Sequence, residues 1–324
     1  MVGKVTNDVL PSGSRLPGIF GVSPFKTPND ELAYSINALQ GGERPPFKAE
    51  AADWGNALET TIIQEAAKRA DLEIEELQVD YAMSYQVDGK DILQVSLDSI
   101  LKGDGRELYS NPDLGIYVIG EEPLVLDGPG ACESKLTSSM PEDVPAEYRG
   151  PIQLQAQMLC GGFKWGVIAT LFRGVELRLF FYAASQASQE KIIEKCKDFI
   201  RRVEEGDWYP ALSPADAVTA YPATDDSSAP VDLTSRPEGD FVRRLVQIKS
   251  QIALLEEEKD QLQAKIMDQM AMSERAFVKD ATGRVQYEVK WAMRSYKAQP
   301  EKVSPAKPAR VERSKTLTVT EAKG

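Results

Sequence analysis

The chain has 324 residues, 42% of them apolar, with 38 basic against 50 acidic side chains and a formal charge of −12. That length suits one enzyme-sized domain plus an appendage, and the acidic balance weighs against indiscriminate nucleic-acid binding while leaving a local positive groove open. Histidine is absent, and Cys132, Cys160 and Cys196 do not cluster, so histidine-dependent triads, imidazole-ligated metals, disulfide frameworks and zinc or iron–sulfur clusters are all excluded.

In chain order, residues 56–71 place Leu58, Ile62, Ile63 and Ala66 on one stripe at helical spacing, which predicts an amphipathic helix. Strands are predicted within 77–87, 92–101, 115–120 and 123–136, separated by Gly and Asp turns. A helix over 147–160 follows, then two strands within 165–184 hinged at Arg173-Gly174, then a long amphipathic helix ending at Gly206. Helices flanking mixed strands indicate an α/β core over residues 1–209. Residues 210–239 have the composition of a flexible linker. Over 240–278, Leu245, Ile248, Ile252, Leu255, Leu262 and Ile266 form a heptad seam interrupted by Lys259, which predicts a coiled coil or helical hairpin. Residues 279–324 form a basic tail suited to DNA or partner contact, or simply to solubility. No apolar run is long enough to cross a bilayer, and the opening residues lack a signal-peptide stretch, so a cytoplasmic protein is expected.

The chemistry starts at Glu133 and Lys135. Residues two apart on a strand share a face, so this carboxylate and ammonium project together while Cys132 and Ser134 point away. An ordinary exposed ion pair is the competing explanation. Asp98 is the acid inside the apolar run VSLDSIL, where an unpaired charge is costly. Asp98 and Glu133, with the Ser134 carbonyl, form a ligand set for one Mg²⁺, with Lys135 beside it to orient water and stabilise charge on a phosphate. Asp113 and Asp127 are the alternatives to Asp98.

The order Asp98, Glu133-Ser134-Lys135 resembles the D…(D/E)xK core of the PD-(D/E)xK nucleases. Three further segments are similar to the lambda-exonuclease-like, YqaJ-type phage recombination nucleases: GSRLPGIFGVSPFKTP at 13–28, WGNALE at 54–59 and IQLQAQML at 152–159. The resemblance spans residues 13 to 209. It implies a restriction-endonuclease-like core, catalytic support from Glu59 and from Gln153 or Gln155 (Gln153 favoured), and Mg²⁺, with Mn²⁺ as a substitute. It also implies a 5′-phosphate pocket holding Ser14 and Ser96, 5′ to 3′ digestion of double-stranded DNA ends, a homo-oligomeric ring and a single-strand-annealing recombination partner. Two departures stand out. The family's phosphate-anchoring arginine has no match, with Lys4 nearby and Arg15 as the substitute. The gap from Asp98 to Glu133 is also long, which an excursion through residues 103–123 would explain. An endonuclease of the same superfamily, and a catalytically silent DNA-binding scaffold acting through the coiled coil and tail, are the other readings.

Overall fold

Two units divide the chain, Met1–Pro222 and Ala223–Gly324, and the computed structural model describes residues 5–42, 50–223 and 229–292. The first unit opens with a 3₁₀ turn at Gly13–Arg15 and helices α1 (Leu16–Ile19), α2 (Pro28–Leu39) and α3 (Glu50–Arg69). Strands β1 (Glu73–Leu77), β2 (Met83–Val87), β3 (Lys90–Val95), β4 (Ser99–Lys102), β5 (Glu107–Leu108), β6 (Ile116–Ile119), β7 (Leu124–Val125) and β8 (Pro129–Thr137) follow. Helix α4 (Pro151–Gly161), strands β9 (Trp165–Phe172) and β10 (Glu176–Ala183), and helices α5 (Gln186–Glu205) and α6 (Pro214–Ala220) complete it.

A mixed six-stranded sheet in the order β1-β4-β8-β9-β10-β6 is the centre of this unit. The pairs β8·β9 and β10·β6 are parallel, and the others are antiparallel. Period two distributes the side chains of β9 and β10 between two cores. Val167, Ala169, Leu179 and Phe181 pack with Ile62, Ile63 and Ala66 of α3, whereas Ile168 and Phe180 pack with Leu154 of α4 and Phe199 of α5. Helices therefore cover both faces, and that is why β9 reads as an unbroken apolar run rather than an alternating one.

The predicted strand over 92–101 is broken in two. The hairpin β2·β3 is a separate small sheet, the chain bends at residues 96–98, and β4 enters the central sheet. Asp98 thus lies in the bend, not inside a strand. Within the predicted strand over 77–87, Met83–Val87 pairs in this hairpin, while Leu77 ends the edge strand β1. The charged run Glu73–Leu77, absent from the sequence expectations, is a strand at the sheet's edge, a position where charge blocks further pairing.

The long gap before Glu133 is an excursion, as expected. It leaves β4, supplies β6 to the far edge of the sheet, and returns to β8, with its neck closed by the Gly103 N–H donating to the Gly128 carbonyl at 3.0 Å. A Cβ at Gly103 would lie 2.3 Å from the Gly128 and Leu126 carbonyl oxygens, so the neck requires glycine.

The first unit does not end at residue 209. Where a linker was expected, α6 docks on α2: buried Asp216 accepts from Thr27 Oγ1 at 2.5 Å, Asn29 Nδ2 at 3.3 Å and the Leu212 N–H at 2.7 Å. Composition hides this helix because one buried acid, rather than apolar bulk, anchors it. In the second unit, α7 (Pro237–Met270) is one continuous 34-residue helix rather than a helical hairpin. The hairpin β11 (Arg275–Lys279) and β12 (Val285–Lys290) then takes up the start of the expected basic tail; the tail beyond residue 292, like Lys4, lies outside the described residues. Among the described residues, no helix is long and apolar enough to cross a membrane.

Candidate active site

Past Cys132, β8 loses its partner β4, whose last pairing there is Ser99 to Cys132. The peptide groups of β8 on that side are then open, and Asp98, in the bend just before β4, fills the space. The Ser134 N–H donates to Asp98 Oδ2 at 2.8 Å and its hydroxyl to the same oxygen at 3.1 Å. A residue's N–H and C=O point to the same side of a strand, so the Ser134 carbonyl also faces this open side.

Glu133 and Lys135 lie on the face of β8 covered by α4. Glu133 is buried, and its Oε1 accepts from Lys135 Nζ at 2.5 Å and from Gln153 Nε2 at 2.7 Å. Its Oε2 accepts from Gln157 Nε2 at 2.6 Å. Lys135 Nζ also donates to Gln153 Oε1 at 3.1 Å. An ammonium has three N–H donors, so one remains beyond these two bonds.

The electrostatics are strained in a specific way. Asp98 is pushed up to about 8, first by desolvation and then by the Glu133 carboxylate. Glu59 on α3 is raised by the same two causes in the same order, with Gln78 hydrogen-bonded to it and pulling the other way. Desolvation works against the charge on Lys135, but Glu133 and Asp98 outweigh it, so its ammonium is held above the usual lysine range. Three acids thus share one lysine. A divalent cation relieves that excess, and an Asp, a Glu and a backbone carbonyl are the hard oxygen donors Mg²⁺ takes. Among the described residues, no group of three or more acidic, His or Cys side chains has metal-binding geometry, so any site here takes the carbonyl and water as well as the two carboxylates.

Several expectations meet this geometry directly. Two hydrogen-bonded sets on adjacent residues of β8, Asp98 with Ser134 and Glu133 with Lys135 and Gln153, are coupled electrostatically, and Glu59 lies within the same field. Asp113 is exposed in the turn before β6, at the sheet edge remote from β4. Asp127 is exposed and ion-paired with Lys164. Gln155 points elsewhere, bridging the Ala183 carbonyl at 2.9 Å and the Ser185 N–H at 2.9 Å.

Arg15 does not serve a phosphate. Its five donors are all engaged: Nε on Glu31 Oε2 at 2.5 Å, Nη2 on the Glu31 carbonyl at 2.7 Å and Ser35 Oγ at 2.8 Å, and Nη1 on the Asp8 and Leu10 carbonyls at 3.0 Å each. The side chain is buried against Tyr34. Ser14 is exposed and lines a cavity of about 580 Å³ that Lys135 also lines. Ser96 is exposed in the bend, and its carbonyl accepts from Gln157 Nε2 at 3.0 Å.

Sequence reasoning missed four residues. Gln153 and Gln157 both hold Glu133, because residues four apart share a helix face; considering steps of two hid the pair. Gln78 has left-handed backbone (φ 55°), uncommon for a long side chain; its N–H donates to the Asp98 carbonyl at 2.8 Å while its side chain bonds Glu59. Only the fold could reveal it. Lys26 and Arg149 line the Ser14 cavity, and Arg149 Nε and Nη1 are buried without hydrogen-bond partners.

Fold and site define a mixed α/β protein, a central mixed sheet flanked by helices with an acid–lysine–glutamine cluster where a central strand loses its neighbour. No protein-family model matches the chain, and no curated protein matches it. Among solved structures it is similar to LHK-Exo, an alkaline exonuclease from Laribacter hongkongensis solved alone and in complex with dAMP, at 15% identity and TM-score 0.43, over 62% of this chain and 90% of that one. It is also similar to a Eubacterium rectale protein described as "Putative exonuclease", at 13% identity and TM-score 0.38, over 72% of this chain and 94% of that one.

Proposed function

We propose that the chain is a Mg²⁺-dependent deoxyribonuclease that digests double-stranded DNA from its ends, 5′ to 3′, to expose single strands for phage recombination, with Mn²⁺ able to replace Mg²⁺. The observation that carries the chemistry is the cluster in which Lys135 bridges Glu133 and Gln153 while the Glu133 carboxylate acts electrostatically on Asp98 at the open strand edge. Asp98, Glu133 and the Ser134 carbonyl would hold the ion, which supplies Lewis acidity at the scissile phosphate and lowers the pKa of water.

The rest is the work of this chain. Lys135 stays an ammonium, so it acts as a donor rather than a base: its remaining N–H orients the attacking water and stabilises charge on the phosphate oxygens. Gln153 holds Lys135 and Glu133 in register, and Gln157 fixes the second oxygen of Glu133. Glu59, raised above the usual carboxylate range, would take up the proton that the water loses. Ser14, Lys26 and Arg149, which line one cavity, would offer the strand's 5′-phosphate a binding place, a role the engaged Arg15 leaves open; Ser96, exposed in the bend before Asp98, is the second hydroxyl of this reading. Expected partners are DNA ends, further copies of the chain and a single-strand-annealing protein, in a host cytoplasm.

The test is digestion of 5′-phosphorylated linear duplex and closed circular duplex, with Mg²⁺ or EDTA, by the parent, Lys135→Ala, Asp98→Ala and Asp113→Ala. Metal-dependent loss of the linear substrate alone, abolished by the first two changes and untouched by the third, is the expected result. Cleavage of circles would make the enzyme an endonuclease, and no cleavage with Mg²⁺ or with Mn²⁺ in its place would end the enzymatic reading.

A further inference from the structure

Among the described residues, helix α7 carries an apolar seam that is exposed. Phe241, Ile248, Ile252, Leu255, Leu262 and Ile266 are all exposed, Leu255 by 64%, and Met270 is the helix's one buried residue among those described. A helix of this length draws its stability from packing such a stripe. Steps of three and four put Leu245, Ile252, Lys259 and Ile266 at heptad position a, and Phe241, Ile248, Leu255 and Leu262 at d.

The charges beside the seam discriminate between partner orientations. In a parallel, in-register pair, Lys259 would face the partner's Lys259, and Arg244 would flank the partner's Lys249, with no opposite-charge pair at any e/g contact. In the antiparallel pair centred between residues 253 and 254, Ile252 meets the partner's Leu255, Leu245 meets the partner's Leu262, and Phe241 meets the partner's Ile266. Lys259 then lies across from the partner's Ile248 instead of a second lysine, and Lys249 pairs with the partner's Glu256, twice by symmetry. Arg244 near the partner's Lys265 is the one like-charge contact, towards the ends of the overlap.

We propose that two copies of this chain join through α7 in this antiparallel register, an inference that does not rest on the nuclease reading. Sedimentation equilibrium of the full chain tests it. The parent forms an assembly whose mass Leu255→Asp halves, while the thermal transition of the first unit stays in place. Glu256→Lys weakens association about tenfold by turning both cross-pairs repulsive, and Lys249→Glu combined with Glu256→Lys restores it. A parent that is monomeric, or an assembly whose mass Leu255→Asp leaves unchanged, overturns the interface. Tighter association of Lys249→Glu overturns the orientation, because in a parallel pair that change creates an attraction to Arg244.

Discussion

Two cation–carboxylate clusters in the first unit use similar residues to opposite ends. Around Arg15, every donor has an acceptor on Glu31, Ser35 or a backbone carbonyl, and the guanidinium ties the opening segment to α2. Around Lys135, three acids share one ammonium, Asp98 and Glu59 are pushed above their usual range, and one strand edge is left open. Saturation makes a structural fastener. Incomplete saturation, held in place by Gln153, Gln157 and Gln78, leaves the valences that the proposed cation and phosphate would complete.

That contrast can be broken at either end. The largest effect is expected from Lys135→Ala, which should lower DNA hydrolysis by about 10³-fold or more and also cost metal-free stability, because Glu133 stays buried beside Asp98 without its ammonium; an activity loss below tenfold in the folded variant would remove Lys135 from the chemistry. Arg15→Ala should instead spare the cleavage cluster and cost about 3 kcal/mol of stability in urea titration, because it leaves buried Glu31 only the exposed Lys26 ammonium, at 3.3 Å, and a cost under about 1 kcal/mol would show that the cluster is no fastener.

Asp98→Asn sharpens the comparison through pH. The folded-state pKa of Asp98 is raised from 3.8 to about 8, so between those values the folded metal-free protein holds a proton that the unfolded chain has released, and stability falls as pH rises through that window. The asparagine variant should flatten this fall and be more stable than the metal-free parent at pH 9, on the order of 2 kcal/mol, while losing nuclease activity. Melting curves from pH 5 to 9 without and with Mg²⁺ decide it, since a bound cation should reverse the order. Gln157→Leu is expected to slow cleavage about tenfold by freeing one oxygen of Glu133. The smallest effect belongs to Asp127→Ala, an exposed ion-pair partner of Lys164, at under about 0.5 kcal/mol with activity kept.

Much of the site was legible in the chain because it rests on short periods. Glu133 and Lys135 share a face by a step of two along β8, Glu59 sits on a helix that its apolar stripe predicts, and the glutamines lie on α4. Gln157 escaped because a step of four was not weighed beside a step of two. Asp98 was chosen for being inside a strand, yet it earns its place in a bend, where the hairpin β2·β3 and the central sheet part. The helix α6 was unreadable because one buried carboxylate holds it, and a single acid in a Pro- and Ala-rich stretch carries no periodic signal.

By itself, then, the amino-acid sequence determined the helices α3 and α5, the two central strands β9 and β10, the shared face of Glu133 and Lys135 and the heptad seam of α7, all of which follow from spacings of two to four residues. Tertiary structure alone decided which aspartate meets Glu133, that Arg15 is already engaged, and that Gln78 reaches both Asp98 and Glu59. Those choices depend on contacts across tens of residues, made when β4 pairs with β8 and the excursion between them closes at Gly103, and no local pattern encodes such a closure.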